Sequence, residues 1–306
     1  MCIEVEVDPQ KNLTKKSFWA KMGQVSGFTL LSRILGFGRE ILLIRYLGKP
    51  GVVSDAFLVA YSLPNTLRKV FAEGALSAAF IPTFVAIFRK EGKDDANRLM
   101  TLTFLLFEGA VLAICYIVMW YAETVLQLLL PGFSAQQIAL AVPYLRILMP
   151  FIFFISSSSL FAGALNIVHH FFIPAFSPAL LNIVFIGSIL TCLYFGLPIK
   201  VLCFGILFGG FLQFVLHVIM YFKLNFSFSC FNRKTFKAFS SIFFKFLPCF
   251  FAMSVTEINF VIDRYFASYF APGSISLIHY ASDFMRIPLG VFVVAFATIT
   301  FPHFSR

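Results

Sequence analysis

Four arginines fall inside apolar sequence, where a membrane helix tolerates few charges. Residues 28–88 are mostly apolar, yet they carry Arg33, Arg39, Arg45 and Arg68, with Glu40, Asp55 and Glu73 among them. An ionised side chain at the centre of a bilayer costs roughly 2.5–3.5 kcal/mol. Turned toward lipid, Arg33, Arg39, Glu40 and Arg68 would together cost on the order of 10 kcal/mol. Either these segments do not cross a membrane, or their charges line a wet cavity inside a helical bundle. Composition decides for the cavity. Of 306 residues, 59% are hydrophobic and 12% charged, whereas about a quarter of a soluble domain is charged.

The apolar runs read as eight helical spans, roughly 22–47, 55–88, 99–129, 138–167, 172–195, 200–222, 240–270 and 275–302. The expected fold is therefore an all-α polytopic membrane protein. The second run is long for one crossing and contains Leu63-Pro64-Asn65, which predicts a kinked or broken helix. Lys11, Lys15, Lys16 and Lys21 precede the first span, and Arg89, Lys90, Lys93 and Arg98 follow the second. Lys223, Arg233, Lys234 and Lys237 lie between the sixth and seventh, while the alternate loops offer little beyond Lys49 and Lys200. The positive-inside rule then places the N-terminus in the cytoplasm, and the C-terminus with it after eight crossings. The net charge of +10 thus belongs to short loops, and no nucleic-acid partner is expected. The six cysteines show no close pairing and suggest neither a disulfide framework nor a zinc site. Residues 1–21 lack the apolar core and small-residue cleavage site of a signal peptide. The 43 phenylalanines read as lipid-facing bulk.

No catalytic signature is present, so an enzyme is not expected. Gly36-Phe37-Gly38 lacks the third glycine and the preceding strand of a dinucleotide loop. P-loop, nucleophile-elbow and His-Glu-x-x-His patterns are missing from the sequence. His169-His170 reads as an interfacial turn, since two adjacent ligands fix no metal geometry. Asp94-Asp95, flanked by lysines, reads as a solvated turn rather than the metal cluster of a polyprenyl-phosphate enzyme.

The intramembrane polar residues carry more. At 3.6 residues per turn, Arg33 and Glu40 share one face and Ser32 and Arg39 another. Arg45 lies near a span end and reads as a snorkelling anchor. Arg33, Arg39 and Arg68 outnumber the nearby acids, which leaves positive charge for an anionic substrate. Guanidinium forks suit paired phosphates. Arg146, Asn166, Asn182 and Gln213 read as hydrogen-bonding links between helices. Asp263, Arg264, Asp283 and Arg286 form a second charged group. Asp283 and Arg286 stand three apart, where an ion pair and a substrate contact are both open.

These residues resemble the lipid II flippases (MurJ/MviN) of the MOP exporter superfamily. Ser32-Arg33-Ile34-Leu35-Gly36-Phe37-Gly38-Arg39-Glu40 is similar to the family's first-helix motif. Ser54-Asp55-Ala56-Phe57, Leu63-Pro64-Asn65-Thr66-Leu67-Arg68-Lys69 and the run from Phe71 to Pro82 resemble its second-helix signature almost residue for residue. The run from Ile173 to Asn182 and Pro288-Leu289-Gly290-Val291-Phe292 also match. The resemblance implies two pseudo-symmetric six-helix lobes around a central cationic cavity, followed by two further helices. On that plan 1–21 is a cytoplasmic segment, 22–224 the first lobe, 225–239 a basic cytoplasmic loop, and 240–306 the first two helices of an incomplete second lobe.

The implied activity is the transfer of an undecaprenyl-diphosphate-linked peptidoglycan precursor across the bacterial inner membrane by alternating access. Carried over by position, Arg33, Arg39 and Arg68 hold the diphosphate, supported by Ser32, Glu40, Asp55 and Glu73. Asn65, Asn166 and Arg286 complete the candidate set. No cofactor is implied, and coupling to sodium and coupling to the membrane potential both stay open. Asp263 resembles a sodium ligand of some members, with a local accommodation of Asp263 by Arg264 as the simpler reading. Expected partners are the lipid-linked precursor, membrane lipids, and cell-wall synthesis or division proteins.

Two departures stand out. The family's eighth-helix pattern Y-A-D-R-L-x-E appears here as Tyr280-Ala281-Ser282-Asp283-Phe284-Met285-Arg286, with aspartate where arginine is expected. The chain also ends after eight spans, which predicts a fragment or truncated product. The alternatives are another exporter of the superfamily, for an oligosaccharide-lipid or in drug/sodium exchange, and a truncated membrane partner that does not transport.

Overall fold

The computed structural model describes residues 15–70 and 76–285, so Glu73, Arg286 and most of the eighth expected span lie outside the described residues. The elements there are helical. In chain order they are α1 (Lys15–Leu47), α2 (Val52–Arg68), α3 (Ser77–Lys90), α4 (Lys93–Thr103), a π-helical turn (Phe104–Glu108), α5 (Gly109–Trp120) and α6 (Ala122–Leu129). Then follow α7 (Ala135–Leu148), α8 (Phe151–Ile167), α9 (Phe172–Phe195), α10 (Ile199–Lys223) and α11 (Arg233–Ala267). A further helix, α12, runs from 274 to 285.

Among the described residues, five segments are long and apolar enough to cross a membrane: Lys93–Trp120, Ala135–Ile167, Phe172–Phe195, Ile199–Lys223 and Arg233–Ala267. α1 has 33 residues, about 50 Å at 1.5 Å per residue, and so has the length without the apolarity. Three boundaries differ from the expected spans. α2 passes through Pro64 as a helix, and regular α geometry gives way only after Arg68, in a π-type turn at 69–70. The third span contains the unforeseen turn Phe104–Glu108. The seventh starts at Arg233, because Asn232 Oδ1 accepts the Thr235 N–H at 3.0 Å and Thr235 Oγ1 accepts the Asn232 N–H at 3.2 Å. The second half of 225–239, expected as a basic loop, is therefore the opening of α11.

α1 packs on α9, α9 on α10, α10 on α8, and α2 on α7. Two apolar cores result. Toward the end bearing residues 48–51, Phe57, Leu145, Ile152, Phe185 and Ile206 fill the space between α2, α7, α8, α9 and α10. Toward the opposite end, Phe80, Phe84, Phe161 and Tyr221 pack with Ile242 and Phe246 of α11. Phenylalanine thus serves both as exposed bulk, as at Phe204, Phe244 and Phe251, and as inner filling. The middle of α11 is largely exposed, so that helix meets the bundle mainly near its two ends.

The contact near residue 268 is polar and close. Asp55, 2% exposed, sits in the first turn of α2. Its Oδ2 accepts the Gly273 N–H at 2.6 Å, and its Oδ1 accepts the Ser276 N–H at 2.8 Å together with the Ser276 hydroxyl. The unpaired N–H groups that open α12 are thus satisfied by a carboxylate from another helix, with the helix dipole aligned to favour it. Nearby, the Gly132 N–H donates to Ser268 Oγ at 3.1 Å. A Cβ on Gly132 would stand 2.3 Å from the Ser268 carbonyl oxygen. Gly273 has φ +101°, and a Cβ there would meet the Pro50 backbone at 2.9 Å. Glycine is what lets these backbones touch.

Asp55→Ala leaves buried donors without an acceptor, at roughly 1–3 kcal/mol each. It should lower the thermal unfolding midpoint of the purified protein, and Gly132→Val should do so as well. Asp55→Asn should cost less, since the amide keeps one acceptor oxygen. An unchanged midpoint for Asp55→Ala would show that the contact carries no stability.

Candidate functional site

The Ser32–Glu40 stretch of α1 meets α9 and α12 at one guanidinium. Arg39 Nη1 donates to Asn182 Oδ1 on α9 at 3.1 Å, and Nη2 donates to Glu40 Oε1. The Arg39 Cζ stands 5.0 Å from the centre of the Phe185 ring, one further α9 contact. Asn182 returns its amide N–H groups to the Ser32 carbonyl at 3.0 Å and the Ser32 hydroxyl at 3.3 Å. Asn182 therefore links α9 to α1, the role the sequence suggested for it, and also orients Arg39. Gly36 lies beneath, where even a methyl group would stay 3.6 Å from Asn182 Nδ2.

Asp283 on α12 adds negative charge near Arg39. Glu40, His279 and Asp283 bring ligand-type atoms within 4.8 Å of one another. His279 Nε2 stands 3.4 Å from Asp283 Oδ2, one turn along α12. Asp283, in the place of an expected arginine, thus comes close to the arginine of α1.

A cavity adjoins this cluster between α2, α11 and α12. Its walls include Tyr61, Asn65, Lys69, Glu257, Asp263 and Asp283. Its volume is about 70 Å³, room for a few waters. A larger occupant requires the walls to part. Lys69 Nζ lies 3.3 and 3.4 Å from the two Glu257 carboxylate oxygens, and 5.4 Å from the centre of the Phe260 ring. This ion pair joins α2 to α11 across the cavity.

The expected site residues do not form a single cationic group here. Arg33 lies exposed on α1. Arg68 Nε donates to Asn65 Oδ1 at 2.9 Å, one turn back on its own helix. Both Asp55 oxygens are engaged by α12, so this residue brings α12 to the site and holds it there. Asn166 belongs to the last turns of α8, at the end away from the cavity, and its carbonyl accepts the His169 N–H. Asp263 is exposed and borders the cavity. Glu73 and Arg286 lie outside the described residues.

Sequence reading missed Lys69–Glu257 as a pair, and His279 as a neighbour of Glu40. Glu257 carried its own signal, a carboxylate in the apolar run of α11. His279 had none, because its neighbour Glu40 lies on a distant helix.

A family model described as Lipid II flippase MurJ matches residues 44–306. The lipid II flippase MurJ of Burkholderia cenocepacia is 32% identical over 92% of this chain and 56% of that protein. The probable lipid II flippase MurJ of Buchnera aphidicola subsp. Acyrthosiphon pisum is 30% identical with the same two coverages. The chain thus spans about half the length of the curated relatives it matches. A solved structure titled as a lipid II flippase MurJ in an inward closed conformation superposes with a TM-score of 0.76 at 31% identity, over 90% of this chain and 57% of that one. A MOP superfamily transporter from Pyrococcus furiosus shares the fold, with a TM-score of 0.66 at 12% identity, over 87% of this chain and 60% of that one. With the family model running across most of its length, the chain belongs to the lipid II flippase MurJ family.

Proposed function

We propose that residues 22–224 are the first lobe, and 240–306 the opening helices of the second, of a transporter for an undecaprenyl-diphosphate-linked peptidoglycan precursor. It works in the bacterial cytoplasmic membrane with its N-terminus inside, as the distribution of Lys and Arg favours. The single observation that carries the reading is Arg39, a guanidinium in an apolar bundle, presented at the junction of α1, α9 and α12 and oriented by Asn182.

Glu40 occupies one face of the Arg39 fork, and Asp283 adds negative charge beside it. A diphosphate competes for that fork with several oxygens and more charge than one carboxylate. Its arrival sets Glu40 against it, which favours parting of α1 from α12. On this orientation the Asp55 contact closes the outer end, and it must open before the headgroup can leave there. The polyprenyl tail stays in lipid throughout, since each methylene withdrawn from apolar surroundings costs about 0.8 kcal/mol. Sodium at Asp263 and the membrane potential are the two proposed sources of drive, and cell-wall synthesis or division proteins the proposed partners.

In the full-length protein, Arg39→Ala should abolish rescue of flippase-depleted cells while insertion stays normal. Loss of one charge-assisted hydrogen bond, about 1.5–3 kcal/mol, corresponds to roughly 10–100-fold weaker headgroup binding. Arg39→Lys should be impaired too, because an ammonium lacks the planar fork. Normal growth on Arg39→Ala at native expression would refute the site.

The Lys69–Glu257 pair gives a separate test. Thermal unfolding of Lys69→Met, Glu257→Gln and the double variant should reveal a favourable coupling of at least about 0.5 kcal/mol. Additive effects would mean that the pair does not hold α2 to α11.

A further inference from the structure

Glu108 plays no part in the arrangement around Arg39. It closes the π-helical turn Phe104–Glu108, well inside the apolar segment Lys93–Trp120, and is 2% exposed. The Ser156 hydroxyl of α8 donates to Glu108 Oε1 at 2.6 Å. The Ser157 hydroxyl lies beside the same carboxyl. Yet Glu108 Oε2 and Ser157 Oγ are both fully buried without a hydrogen-bond partner among the described residues.

An ionised carboxylate in that position loses its hydration, at several kcal/mol, with one neutral donor to replace it. Among the described residues no cation pairs with it. α5 and α8 carry no Asp, Glu, Lys, Arg or His. The charged residues of α4 end at Arg98, ten positions earlier and about 15 Å along the axis, where Arg98 pairs with Asp95. α11 approaches with Phe246 against Phe107, its centroid 4.7 Å away, while its Lys245 donates to Thr83. Cys115 on α5 is the titratable neighbour, and its thiol donates to the Met149 carbonyl.

A proton on Oε2 removes the charge that burial leaves without compensation. A neutral carboxylic acid is a donor through one oxygen and an acceptor through the other. Ser156 donates to Oε1, and Ser157 Oγ is the neighbouring acceptor that the acid O–H on Oε2 would reach once the two close to hydrogen-bond distance. The π-helical geometry adds a way to break this arrangement. Such turns recur at functional positions, and conversion to regular α-helix rotates one flank by about 100°, the angle of one residue. That rotation carries Glu108 away from the serines.

We propose that Glu108 is a proton-binding site inside the first lobe, holding an exchangeable proton between Ser156 and Ser157 and releasing it as the π-helical turn rearranges. The site is separate from the Arg39 cluster and independent of the substrate proposed there.

Dicyclohexylcarbodiimide, which reacts with protonated carboxyls in apolar surroundings, tests this on the whole chain in lipid nanodiscs. Modification mapped to Glu108 should fall by about tenfold for each pH unit once the group titrates. It should vanish in Glu108→Gln, and that variant should keep a near-native thermal midpoint, since its amide is also donor and acceptor. Absence of modification at every pH would overturn the proposal, as would modification independent of pH. Protection of Glu108 by sodium chloride at fixed pH, without protection by choline chloride, would assign the site to sodium and overturn it as well.

Discussion

A guanidinium cannot sit inside an apolar bundle unless its surroundings are built to hold it, and the packing around Arg39 reflects that constraint. Its fork needs acceptors from more than one direction. Asn182 provides one from α9 and Glu40 another from α1 itself. Because Asn182 also binds the Ser32 backbone and hydroxyl, the same side chain fixes the helix pair and the cation. Deleting either partner leaves a buried charge short of acceptors, which costs more than the net worth of the bond.

α12 reaches this point because it is anchored elsewhere. Asp55 accepts the N–H groups that open α12, and this fixes where His279 and Asp283 fall relative to Glu40. Gly132 and Gly273 allow the backbones around that anchor to approach closer than any side chain permits. Together with Lys69–Glu257 just past the end of α2, the anchor makes the contact of α2 with α11 and α12 largely polar, while the opening half of α11 packs on an apolar core. Polar contacts of this kind part without exposing large apolar surface, which suits a protein proposed to open and close.

Much of this was legible in the sequence. Ser32, Arg39 and Glu40 announced themselves as charge inside apolar runs, and Asn182 as a polar residue that a membrane helix keeps for a partner. The fifth expected span and α9 coincide at 172–195. What stayed hidden depends on partners distant in the chain. Arg39 and Asn182 are 143 residues apart, and Lys69 and Glu257 are 188 apart, so no local pattern pairs them. Asp55 looked like a site residue because acidity and position do not reveal that both oxygens face a helix N-terminus. The π-helical turn has no composition of its own, and it left Glu108 unread even though a carboxylate amid Leu, Phe and Val was visible.

The central claim is that a diphosphate takes the place of Glu40 on Arg39. The most direct measurement is the affinity of the full-length protein for undecaprenyl diphosphate, compared between the native protein and Glu40→Gln. Removing the competing carboxylate should tighten binding by about tenfold or more, for a charge-assisted contact of about 1.5–3 kcal/mol. Binding that is unchanged or weaker in Glu40→Gln would contradict the account.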